Sequence, residues 1–225
     1  MYKKLIALSV HLFTAIGVLL AFWALLLIVQ GELQYSLFVL AFAVIVDSLD
    51  GTLAREADVS THTPAIDGAL MDNITDYLNW VFLPVFWAYT FLDLHFMVGS
   101  AVLITSLFGF SHKQAKTDDD FFRGFPSYWN FVIFYLYLLS AAPWVTDTIM
   151  LIFAVLVLVP VKLIYPSRTP EWRRTTILLS IPYAIMIFTM LYYLKETPFW
   201  LLLASFYYPI YYVVISFIAN KQKNL

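Results

Sequence analysis

Four aspartates stand at helical intervals in one stretch of the chain. Asp47 and Asp50 are three residues apart, and Asp72 and Asp76 are four apart. Three helical residues turn about 300° and four about 400°, so each pair shares one face of a helix. Gly51 stands four residues after Asp47, Ala54 four after Asp50, and Gly68 four before Asp72. These small residues keep both acidic faces low, so something bulky can approach the backbone. Arg55 follows at the mouth of the first stripe, where a planar guanidinium can clamp a phosphate. Four carboxylates cannot stay ionised together in a low-dielectric site without cations. Hard divalent ions with oxygen ligands, Mg²⁺ or Mn²⁺, suit the donors. Two such ions could bridge the phosphates of a diphosphate substrate.

The elements that must position these acids are membrane helices. Of the 225 residues 62 % are hydrophobic and only 12 % charged, and mean hydropathy is +0.80. A soluble domain carries about 25 % charged residues. The apolar runs are long and unbroken, which favours helices over the alternating segments of a membrane barrel. The expected class is all-α: one polytopic helical bundle, residues 1–225, with about eight spans. The spans are read as Leu5–Val29, Tyr35–Arg55, Asp67–Leu92, Phe96–His112, Trp129–Ala142, Thr148–Tyr165, Trp172–Tyr193 and Pro198–Ala219. The first is too long for a signal-peptide core and is read as a retained span. The net charge of −2 points to no nucleic-acid partner, and the absence of cysteine excludes disulfides and thiolate metal sites.

In this arrangement every Lys and Arg except Lys195 falls on one side. The positive-inside rule makes that side, and both termini, cytoplasmic. The four acids then lie at the cytoplasmic ends of the second and third spans. An isolated acid at such a place, as at Asp58 or Asp93, reads as a solvated helix end. A transporter with a carboxylate-lined cation path is the competing class. It would want its groups near the midplane, whereas these acids cluster at one end. Tyr77, Trp80, Phe125, Tyr128 and Trp129 supply aromatic faces near the same side, the kind of surface that recognises a quaternary ammonium. Lys116 and Arg123 lie in the polar connector Lys113–Tyr128, read either as a solvated loop or as a lid reaching phosphate.

Asp50-Gly51, two residues, Ala54-Arg55, a twelve-residue spacer, Gly68, three residues, Asp72, three residues and Asp76 form a pattern. It resembles the signature of the CDP-alcohol phosphotransferase superfamily. The spacer exceeds that family's commonest length. With HLFTAIG at His11–Gly17, KTDDDFFRGFPSYWN at Lys116–Asn130 and PVKLIYPSRTP at Pro160–Pro170, it is similar to the bacterial phosphatidylcholine synthase branch. The resemblance implies transfer of a phosphatidyl group from CDP-diacylglycerol to choline, with release of CMP, at the cytoplasmic face of a bacterial inner membrane. It implies metal ligation by Asp47, Asp50, Asp72 and Asp76, around two Mn²⁺ or Mg²⁺ ions, with Asp76 also the base for the acceptor hydroxyl. Gly51, Ala54, Arg55 and Gly68 would line the cytidine diphosphate site. Tyr77, Lys116, Tyr128 and Trp129 are the candidate choline or head-group contacts. His11 and Thr14 match polar residues near the nucleotide only loosely, and a polar helix–helix contact is the alternative. The resemblance also suggests a homodimer among membrane lipids. Serine, inositol phosphate and glycerol phosphate are the alternative acceptors.

Overall fold

The computed structural model describes residues 2–117 and 119–223, without the side chains of the last two. Asp118 of the polar connector and the Lys223 side chain therefore lie outside the described residues. The helices are α1 (Tyr2–Val29), α2 (Leu33–Glu56), α3 (Val59–His62), α4 (Gly68–Asp76), α5 (Leu83–Phe91), α6 (Phe96–Ser111), α7 (Trp129–Leu138), α8 (Pro143–Leu158), α9 (Arg173–Tyr192), α10 (Phe199–Ser205) and α11 (Tyr207–Lys223). A π-helical segment, Tyr77–Phe82, joins α4 to α5. Among the described residues, Tyr2–Val29, Leu33–Glu56, Arg173–Tyr192 and Phe199–Lys221 are long and apolar enough to cross a membrane. Helices α6, α7 and α8 are apolar but shorter. The chain divides into two compact units, Met1–Leu94 with Trp129–Ile133, and His95–Tyr128 with Phe134–Leu225.

In the first unit α1 and α2 form a helical hairpin. Gly31, at φ +78°, closes α1. Its N–H bonds the Ile28 carbonyl at 3.0 Å, and the Glu32 N–H bonds the Leu27 carbonyl at 2.8 Å. That pair of bonds is the Schellman arrangement, which needs the left-handed conformation glycine adopts without strain. The buried face of α1 runs Ala7, Val10, His11, Thr14, Gly17, Leu20, Ala21, Ala24 and Ile28. Its small residues let neighbours come close: a Cβ on Gly17 would collide with the Thr75 methyl of α4. The Trp87 indole, fully buried, donates to Ser36 Oγ at 3.0 Å and ties α5 to α2.

The π segment has a local cause. Leu83 N–H reaches back to the Leu78 carbonyl, a π-type bond. The next bond in that register would join Pro84 to the Asn79 carbonyl, but proline has no N–H. Asn130 Nδ2 donates to that carbonyl instead, at 3.0 Å. Asn130→Leu would leave the carbonyl buried without this donor, a loss of about 1–3 kcal/mol. The expected outcome is a lower melting temperature in detergent; an unchanged one would mean that the carbonyl finds another donor.

In the second unit β1 (Phe121–Arg123) pairs antiparallel with β2 (Lys162–Ile164), Phe121 opposite Ile164. Both of those residues are fully buried against Tyr212, Ile215 and Ala219 of α11. The Ile164 N–H donates to Ser216 Oγ at 3.1 Å, and the Tyr212 hydroxyl donates to the Ile164 carbonyl at 3.0 Å. The ladder occupies residues expected to end the sixth span. Pro143 opens α8 earlier than expected, and Pro160 closes it: Val159, before proline, turns to an extended conformation. Described residues of the connector bond to groups in and after β2. Lys162 Nζ donates to Asp119 Oδ2 at 2.8 Å, and Thr169 Oγ1 donates to the Asp120 carbonyl at 2.7 Å.

Candidate active site

The acidic stripes of α2 and α4 meet in the first unit. Asp47, Asp50 and Asp72 each present a carboxylate oxygen, all within 4.8 Å of one another. Asp50 is buried, and the other two are half-buried. Two oxygens on opposite sides of one Mg²⁺ stand about 4.2 Å apart, so this trio can close on a divalent cation with a small adjustment. The donor set is all carboxylate oxygen, which suits Mg²⁺ or Mn²⁺ over softer metals. Asp76, half-buried, is one turn further along α4 and is not one of the three whose oxygens converge.

Helix α1 forms a third wall. Thr14, buried, makes a side-chain hydrogen bond to Asp50. One turn away, His11 Nε2 shares a 2.8 Å hydrogen bond with Thr63 Oγ1, and Thr63 caps the short helix α3 inside the spacer. The Asp67 carboxylate accepts the Leu70 N–H at 3.0 Å and starts α4, which sets the register of Asp72. His11 thus anchors the long spacer, and Thr14 steadies the buried acid of the trio. His11 and Thr14 were legible as two polar residues one turn apart in a mostly apolar helix, but their partners were not.

The expected nucleotide residues border this trio in sequence. A Cβ on Gly51 would stand 3.5 Å from Arg55 Nη1, so the guanidinium folds back over Gly51. Arg55 Nη2 donates to Thr52 Oγ1 at 3.0 Å. Ala54 is half-buried on the same helix. A Cβ on Gly68 would stand 3.2 Å from His11 Cε1, tighter than ordinary contact. Gly68→Ala is therefore expected to lower turnover by pushing on His11. Adding His11→Ala should restore much of the loss, a non-additivity that a double-mutant cycle reads directly. Strictly additive losses would mean that the two residues act separately.

The candidate head-group residues divide between the units. Tyr77 opens the π segment and is half-buried, and Trp129 opens α7 and is fully buried. Lys116 and Tyr128 belong to the second unit. There the Lys116 ammonium lies 5.9 Å from the Tyr165 ring centroid. Tyr128 meets Phe122, Phe125 and Tyr212 edge-on, with centroids 6.3, 6.4 and 6.0 Å apart. A contact that sequence reasoning did not find is the Trp80 indole N–H donating to Asp47 Oδ2 at 3.3 Å.

Residues 6–160 match the family model described as CDP-alcohol phosphatidyltransferase. The chain is also similar to three bacterial proteins named phosphatidylcholine synthase. That of Legionella pneumophila is 41 % identical over 164 residues, 71 % of this chain and 64 % of that protein. That of Pseudomonas aeruginosa is 40 % identical over 174 residues, 76 % of this chain and 73 % of its own length. That of Borreliella burgdorferi is 37 % identical over 175 residues, 76 % and 74 %. The alignment thus spans less than two thirds of the Legionella protein. All four aspartates, the glycines beside them and Arg55 fall inside the matched segment, and the protein belongs to the CDP-alcohol phosphatidyltransferase family.

Proposed function

We propose that the protein is a phosphatidylcholine synthase, transferring the phosphatidyl group of CDP-diacylglycerol to choline with release of CMP. The observation that carries this reading is the Asp47–Asp50–Asp72 trio, in a chain similar to several proteins of that name. Phosphoryl transfer requires little covalent help and much alignment and charge neutralisation. Two Mn²⁺ or Mg²⁺ ions, when bound, supply the positive charge that draws electrons from the diphosphate and steadies departing CMP. Asp47, Asp50, Asp72 and Asp76 would hold them. Gly51, Ala54 and Gly68 leave room for the cytidine diphosphate, and Arg55 grips its phosphate. Asp76 takes the proton of the choline hydroxyl as that oxygen attacks the lipid-linked phosphorus.

The reading extends to placement: eight spans in the inner membrane, both termini and the acids cytoplasmic, in a homodimer. The one-sided distribution of Lys and Arg supports the orientation. Tyr77, Lys116, Tyr128 and Trp129 stay in this reading as contacts for choline or the head group. Purified protein in detergent, given CDP-diacylglycerol, Mn²⁺ and labelled choline, should yield labelled phosphatidylcholine and CMP. Product from serine or glycerol phosphate but none from choline would reassign the acceptor.

A further inference from the structure

We infer that the second unit carries a site for one anionic phospholipid, its phosphate on Arg173 and Arg174 and an acyl chain in a groove along α9. The groove has a volume of about 630 Å³, and its lining includes Ser180, Ile181, Ala184, Ile185, Phe188 and Tyr192. Ser180 and Ala184 are small and stand four residues apart, so they share a face and make a low floor. Ile181, Ile185 and Tyr192 rise beside it, 54, 62 and 68 % exposed. Ser180 Oγ donates to the Ile177 carbonyl at 2.8 Å, and Thr189 Oγ1, also in the lining, donates to the Ile185 carbonyl at 2.8 Å. Both hydroxyls are spent within the helix, so the body of the groove asks a ligand for no hydrogen bond. Such a surface suits a hydrocarbon chain held by close packing.

Charge defines the other end of the ligand. Arg174, Ile181, Ile185, Phe188 and Tyr192 lie within about 40° of one line along α9. Arg173 is the next residue, and Arg168, just before the helix, is held 5.1 Å from the Tyr165 ring centroid. All three arginines are exposed, as is Glu171, the one acid between Arg168 and Arg174. Among the described residues none of the three is in an ion pair, whereas Lys162 is committed to Asp119. A surplus of positive charge at a membrane surface attracts anionic head groups, and the guanidinium fork grips phosphate. The lengths agree. Arg174 to Phe188 is about 21 Å along the axis. The hydrocarbon of one leaflet is roughly 15 Å deep, and the glycerol with its esters fills the rest.

The inference does not depend on which alcohol the protein uses, and its test needs no turnover. Delipidated full-length protein in neutral detergent is titrated with dioleoyl phosphatidylglycerol or dioleoyl phosphatidylethanolamine, and native mass spectra count the lipid retained. Wild type should hold the anionic lipid more tightly. Arg173→Gln with Arg174→Gln should weaken phosphatidylglycerol binding roughly 30-fold and leave phosphatidylethanolamine nearly unchanged. Ala184→Phe fills the floor of the groove and should weaken both lipids alike, several-fold. All three positions are exposed, so none of these changes disturbs the core. Lys3→Gln with Lys4→Gln removes two exposed charges from the first unit and should leave the preference intact. An equal loss there would make the preference a property of net charge and overturn the site. So would equal binding of the two lipids by wild type, or an Ala184→Phe variant that binds both as wild type does. Soluble glycerophosphoglycerol competing as well as the lipid would leave a phosphate site without a chain. A dimer that Ala184→Phe splits while lipid binding persists would assign the groove to a second copy of the chain. Either of these results also overturns the assignment.

Discussion

Asp76→Asn lowers turnover by about 10²–10⁴-fold, the range of a positioned general base, while the protein still gains thermal stability from Mn²⁺ with CMP. The expectation follows from where the four acids stand. Asp47, Asp50 and Asp72 bring their oxygens within 4.8 Å of one another without Asp76. Asparagine at position 76 keeps the volume and the half-buried place on α4 but cannot accept the hydroxyl proton. The cation site survives, and the proton loses its destination. Single-turnover assays with labelled choline, run beside melting curves with and without Mn²⁺, read both halves. Wild-type turnover removes Asp76 from the mechanism. Loss of the Mn²⁺ stabilisation together with turnover makes it chiefly a ligand.

Asp50→Asn has the opposite signature. Asp50 is the buried member of the trio, 5 % exposed, beside two other carboxylates. Like charges at this spacing repel by on the order of 3 kcal/mol per pair at an effective dielectric of about 20. Removing the Asp50 charge should therefore raise the melting temperature of the chelated protein above that of chelated wild type. Adding Mn²⁺ should then stabilise wild type by about 2.7 kcal/mol at one hundred times its dissociation constant, and the variant hardly at all. Turnover in the variant should fall below detection. A variant less stable than wild type in chelator would show that the Thr14 hydrogen bond to Asp50 outweighs the repulsion. A variant that retains the full Mn²⁺ shift would remove Asp50 from the cation site.

The two acidic stripes were legible from sequence because they depend only on the local repeat of the helix. Asp47 with Asp50, and Asp72 with Asp76, share a face however the chain packs, and the signature around them is carried by residue type and spacing. The helical class followed in the same way, from runs of apolar residues too long for anything else. Which oxygens converge was decided by the tertiary structure. The meeting of α2 and α4 brings Asp72, and not Asp76, into the trio. Thr14 and His11 find Asp50 and Thr63 only because α1 packs against both. The Trp80–Asp47 bond joins residues 33 apart, and no periodicity encodes it. The π segment and the β1–β2 ladder depend on Pro84 and Pro160, whose missing N–H groups are plain in sequence. What replaces those bonds, Asn130 on the Asn79 carbonyl at one place and the Phe125 N–H on the Leu156 carbonyl at the other, is a matter of which distant groups pack alongside. Local geometry is set by the chain's own repeat; partnership is set by the packing of segments far apart along it.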